Sequence, residues 1–266
     1  LQRARAGVTV AEGLAGVPGL FIHNRGNFAQ DVRLSIRGFG ARSTFGIRGV
    51  RVLLDGIPLT LPDGQTGVDA IDPAVLARAE VLRGPSSALY GPASGGVVSL
   101  TSERGAGRAP FAAAEVIHGA HGLRQQRLEA GGSRGPVDGF LAVSHLRLDG
   151  YREHAATERT LVTGNGAWLA PGGGELTVNA AVVDSPRAED PGGLTAAQAE
   201  RDPRQAGALN TRFRTGETVR QQRLGVTWAQ PAGRQGEIEA RAYGTWRDFS
   251  NRLPFSGVRL ERVVRG

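Results

Sequence analysis

The stretch EIEARAYGTWRD, residues 237–248, alternates without a break: Glu237, Glu239, Arg241 and Arg247 share one face of an extended chain, and Ile238, Ala240, Ala242 and Trp246 share the other. A period of two makes it a strand. TVRQQRLGVTW, residues 218–228, behaves alike, with Leu224, Val226 and Trp228 facing away from Arg223 and Thr227. In VDGFLAVSHLRLDGYRE, residues 137–153, Phe140, Ala142, Leu146 and Leu148 alternate with a mixed face that ends in His145, Arg147 and Asp149. A water-soluble sandwich would alternate too. These runs, however, reach about a dozen residues, beyond the usual five or six of globular strands. They suit a tilted membrane-crossing strand of about 9 to 11 residues plus its rims, with charges lining a wet lumen.

The connections support this. APGGGE (170–175) and AQPAGRQGE (229–237) are short turns, whereas residues 185–217 run on with little apolar patterning, and Asp149 to Arg159 forms another long connection. Long connections alternating with short turns are what a membrane barrel shows. About seven strands fit between Phe111 and Phe249. Such an arc cannot close a wide barrel, and unpaired edges are not viable in lipid. The sequence therefore reads as a fragment at both ends.

Residues 1–104 differ in style and read as a compact α+β domain around a small mixed sheet, with residues 105–266 forming the first part of the barrel. VTVAEGLAGVPG places Val8, Val10, Leu14 and Val17 near helical spacing and stops at Pro18-Gly19. DVRLSIRGFG alternates as a half-buried strand, and RVLLDGIPLTL is a hairpin with Asp55-Gly56 at its turn. DPAVLARAEVLRGP gives a helical turn at Asp72-Pro73 followed by a strand through Ala79 to Leu82. LRGPSSALYGPASGGVVSLTS, residues 82–102, has the glycine density of a phosphate cradle. It lacks the lysine that such a cradle uses, and instead reads as strand, short helix from Pro85-Ser86 through Tyr90, and strand.

Composition narrows the function. The 266 residues include 40 glycines and no cysteine, which excludes disulfide, thiolate and zinc-thiolate chemistry. All 32 basic residues are arginine, giving a net charge of +7, yet they are scattered, so the basic arm of a nucleic-acid binder is missing. No run approaches the roughly 18 apolar residues of a membrane helix. With no methionine, position 1 is not a translation start. No enzyme is expected: GPSSA lacks the nucleophile-elbow spacing, no P-loop exists without lysine, and no paired carboxylates stand out. No metal is expected on the protein itself, since His118 and His121 stand three apart on a strand and His23, His145 and His154 are isolated.

VAEGLAGVPGLFI, LSIRGFGARS, RVLLDGIPLTLPDGQ and AEVLRGPSSALYGPASGGVVSLTS resemble, in order and spacing, the plug domain of TonB-dependent outer-membrane receptors. PLTLPDGQT and PGGLTAAQAERDPRQA resemble the ferric-citrate-receptor branch. The resemblance implies a plug inside a barrel of roughly 22 strands, of which this chain carries about seven, in the outer membrane of a Gram-negative bacterium. It implies uptake of an iron chelate, ferric citrate or another siderophore, that arrives preassembled with no cofactor. The implied partners are outer-membrane lipid and TonB, which pulls an N-terminal box expected upstream. A non-transporting truncated gene product and a receptor for another scarce nutrient such as cobalamin are the alternatives. The resemblance further implies that Arg42, Ser43, Thr44 and Phe45 in one loop and Asp63, Gln65 and Thr66 in a second meet the chelate, the polar groups suiting anionic chelators. It also implies that Arg37, Glu80 and Arg83 form buried ion pairs within the plug and with barrel glutamates, locking the plug in its seat.

Overall fold

The computed structural model describes residues 7–14, 16–24, 26–43, 46–61, 64–84, 95–233, 236–255 and 257–266. The helix expected from Pro85 to Tyr90 lies outside them.

The N-terminal domain opens with a short helix, α1 (Val10–Leu14), whose start is closed by the Glu12 carboxylate accepting from the amides of Gly7, Val8 and Thr9. The strands β1 (Leu20–His23) and β2 (Arg33–Ile36) form an antiparallel pair. A second sheet holds β3 (Val50–Leu54), β4 (Ile57–Pro58), β5 (Leu76–Arg83) and β6 (Gly96–Ser102), in the order β4-β3-β6-β5. Only β3 and β6 run parallel. The β3–β4 turn uses Asp55 at φ 53° and Gly56 at φ 74°, the left-handed pair that a tight hairpin requires. Asp55 then pins the turn to β6, accepting from the Ser102 amide at 2.8 Å and its hydroxyl at 2.9 Å. Leu34, Ile36, Val52, Ile71 and Leu100 are buried in the core between the two sheets.

The rest is one antiparallel meander: β7 (Phe111–His118), β8 (Arg124–Arg134), β9 (Val137–Leu148), β10 (Thr157–Leu169), β11 (Glu175–Glu189), β12 (Gly216–Ala232), β13 (Gly236–Arg252) and β14 (Arg259–Arg265). The seven strands expected between Phe111 and Phe249 are β7–β13, and β14 follows beyond them. One end of the meander carries the long connections. The longest, residues 190–215, is folded rather than slack: it contains α2 (Ala196–Arg201), started by a Thr195/Gln198 capping box, and α3 (Ala208–Phe213). Arg152, from the neighbouring connection, donates to the carbonyls of Pro191, Gly192 and Gln205.

On β12, Val219, Gln221 and Arg223 are buried against the N-terminal domain while Leu224 and Val226 look outward. The face expected to line the lumen therefore does so. On β9 the expected polarity is reversed: Phe140, Ala142 and Leu146 point inward and are buried, and Leu141 and Val143 of the mixed face point outward. The reason is the cover. Where the N-terminal domain presses on the wall, its own apolar residues replace water, as Val75 does against Phe140 and Ala142.

Candidate functional site

The inner domain meets the wall through polar contacts spread over the height of the strands. At the end with the long connections, Asn27 and Gln30 donate to the two oxygens of Asp190 at 2.7 and 3.1 Å. Below them Arg247 of β13 donates to Asp69 at 2.7 Å and to Gln221 at 2.8 Å. Its side chain is 7% exposed and that of Asp69 17%, so this pair is nearly dry. Gln65 extends the cluster, donating to Asp31 at 3.3 Å and accepting from Arg262 at 3.2 Å. Burial, reinforced by the neighbouring charge of Asp69, pushes the Asp31 carboxyl up to about 7. Deeper, Ser144 donates to Asp72 at 2.7 Å, and Asn165 reaches Ser102 and the Glu103 carbonyl. At the turn end, Arg241 donates to the Gly56 carbonyl at 2.6 Å, and Arg104 pairs with Asp138 at 2.9 Å and Glu175 at 2.7 Å.

These contacts are water-like in kind, so breaking them exposes groups that water can satisfy. Among the described residues, the buried apolar clusters shared by domain and wall are two small ones, Val75 with Phe140 and Ala142, and Ala70 with Leu161, Val183 and Val219.

The two loops expected to form the ligand face are joined: Ile47 and Thr66 exchange backbone hydrogen bonds at 3.1 and 3.0 Å. Both lie near Arg262 and Arg247, toward the long-connection end. Arg42 is exposed in a turn. Ser43 is buried and donates to the Gly46 carbonyl at 2.7 Å, and Thr66 is buried with its hydroxyl 2.8 Å from that of Thr60, so both hydroxyls are engaged inside the loops. Gln65 bridges Asp31 and Arg262 as above. Thr44, Phe45 and Asp63 lie outside the described residues.

Among the described residues, Arg37, Glu80 and Arg83 do not form the expected buried pairs. Arg37 is exposed in a left-handed turn at φ 49°, Glu80 pairs with the exposed Arg78 at 2.6 Å, and Arg83 is exposed beside Gly19. Glu80 and Arg83 lie on β5 three positions apart, which puts them on opposite faces of the strand and keeps them from sharing one partner. Among the described residues, the most buried ion pair between domain and wall is Asp69–Arg247. The alternation placed Arg247 on the inward face, but Asp69 sits in GVDA, which carries no motif, and a partner so remote in sequence leaves no local signal.

Residues 1–98 match the family described as TonB-dependent Receptor Plug Domain. Residues 1–98 are thus a TonB-dependent receptor plug domain, and the eight-stranded sheet has the fold of part of a barrel wall. A ferrioxamine receptor of Yersinia enterocolitica is 39% identical over 100 residues, covering 36% of this chain and 13% of that receptor. A hemin receptor of the same species is 31% identical over 172 residues, covering 58% of this chain and 23% of its own length. The chain thus spans less than a quarter of these relatives. Among solved structures, the unliganded ferric citrate transporter FecA overlays with a TM-score of 0.74 at 20% identity, covering 91% of this chain and 38% of the transporter. The copper transporter OprC overlays at 0.68 and 16% identity, with 93% and 36% covered. At such identities the overlays establish the fold.

Proposed function

We propose that the receptor takes up an iron chelate, ferric citrate or another siderophore complex, across the outer membrane of a Gram-negative cell, with TonB supplying the pull that displaces the plug. The observation that carries this reading is the polar seam between plug and wall, which holds the plug in place yet can be exchanged for water. The named ligands of the relatives, ferrioxamine and hemin, are iron complexes, which supports the substrate class. The joined loops around Arg42 and Gln65 would present a cationic donor and amide groups to an anionic chelate.

Radioiron uptake from a panel of chelates, in cells lacking other iron receptors and expressing the full-length receptor, tests the proposal. The expected result is TonB-dependent uptake of at least one carboxylate or hydroxamate chelate, reduced several-fold by Arg42→Ala. Transport of cobalamin or a sugar, with no iron chelate taken up, would sink it.

A further inference from the structure

Between the β3–β4 hairpin and strands β12–β14 lies a cavity of about 380 Å³, large enough for a small organic acid. Arg51 lines it from the plug, and Arg223 and Tyr243 line it from the wall. No Asp or Glu side chain lines it among the described residues, and Arg265 and Gly266 are also part of the lining. Arg223 is 5% exposed, and its Nη1 is buried without a hydrogen-bond partner among the described residues. The acid electrostatically closest to it, Asp55, is turned away, both of its oxygens being taken by Ser102. A guanidinium nitrogen buried without a partner carries a cost that a ligand can relieve.

The surrounding structure keeps the space open. Ile57 fits over Gly225, where a Cβ would lie 2.0 Å from its Cδ1, and Arg241 ties down the Gly56 carbonyl. The hairpin tip is thus docked below the cavity rather than in it.

We propose that this cavity is an anion site at the plug–wall seam, taking a compact oxyanion of the carboxylate or phosphate class between Arg51 and Arg223, with the Tyr243 hydroxyl as a neutral donor. The bound anion links one charge on the plug to one on the wall and so favours the seated plug. The site does not rest on the iron-chelate reading, since free anions and chelate carboxylates share the same chemistry.

Calorimetric titration of the full-length receptor in detergent tests this at fixed ionic strength, with sodium phosphate, free citrate and iron-loaded citrate as separate arms. Saturable binding of phosphate or free citrate is expected, weakened at least tenfold by Arg51→Gln and by Arg223→Gln. Arg220→Gln, which removes an outward-facing charge from the same strand, should leave it unchanged. If Arg223→Gln folds poorly, the half-buried Arg51→Gln still decides the matter. Binding of iron-loaded citrate alone, unaffected by Arg51→Gln, would place the anion elsewhere and overturn the site. So would binding that appears only after Asp63→Asn, because Asp63 adjoins the lining residue Gly64 in sequence and would then be the partner of Arg223. Iron-free arms keep this result separate from the uptake experiment.

Discussion

Arg247 and Asp69 show how much one side-chain pair can decide. Both are largely removed from water, so their attraction is offset by desolvation and the pair's net contribution is small, yet removing one partner strands the other. Arg247→Met should therefore cost about 3 to 5 kcal/mol in urea-induced release of the plug, and adding Asp69→Leu should restore most of it. Asp31, close by, gives a pH dependence of opposite sense to most carboxylates. Its folded pKa of about 7 stands above the ordinary 3.8, so the folded state holds a proton that the unfolded state has released. The associated stability is full at acid pH and is lost as pH rises through 7, with a ceiling of about 4 kcal/mol. Asp31→Asn stays neutral throughout. It should raise the thermal midpoint at pH 8.5, raise it less at pH 5, and change it little at pH 3.

Among the elements, the link between plug and wall is the tightest joint. Gly105, between β6 and β7, is buried, and a Cβ there would lie 2.2 Å from the Gly139 carbonyl oxygen and 2.4 Å from that of Gly132. Those are backbone atoms of β9 and β8 and cannot step aside as a side-chain tip could. Gly105→Ala is expected to cost about 1 to 3 kcal/mol, as overpacking does, with a lower yield of folded receptor. Gly193→Ala, with nothing within 4 Å, should be silent in the same denaturation assay.

The elements differ in how well the sequence announced them. The Asp55-Gly56 hairpin was legible because two left-handed residues are a chemical requirement that few sequences meet. The strand β14 was not, since in RLERVVR the outward residues Arg259, Glu261, Val263 and Arg265 are as mixed as the inward Leu260, Arg262 and Val264. Its pairing with β13, rather than any pattern, makes it a strand. For β9 the alternation defined two faces, but which face turns inward depends on what the plug lays against it. The candidate site follows the same logic: loops rich in glycine could be located, while Asp69 and Asp31 gain their character only from the strands that enclose them.

For the molecule as a whole, the outward face forms an apolar belt. Val116, Leu128, Leu141, Leu224 and Ile238 are exposed along it, with Trp168 near the turns and Trp246 toward the connections. Tryptophans at the margins of such a belt fit the two lipid–water boundaries. Leu224→Arg, placing a cation where acyl chains lie, should cost about 2 to 4 kcal/mol of folding stability in lipid bilayers. In denaturation from vesicles, Arg220→Leu is expected to show no comparable loss, because Arg220 lies nearer the belt's edge and pairs with the exposed Asp184.

The long connection from residue 190 to 215 carries a further consequence. Arg152 gathers its carbonyls, and the buried Asn210 ties Thr215 back to Asp190, so this segment is a fixed knob on the rim. An antibody raised against it meets a surface whose shape was settled during folding. Such a visitor need not spend its binding energy on ordering a loop. The same clamp that shapes the connection would thus make it a rigid epitope.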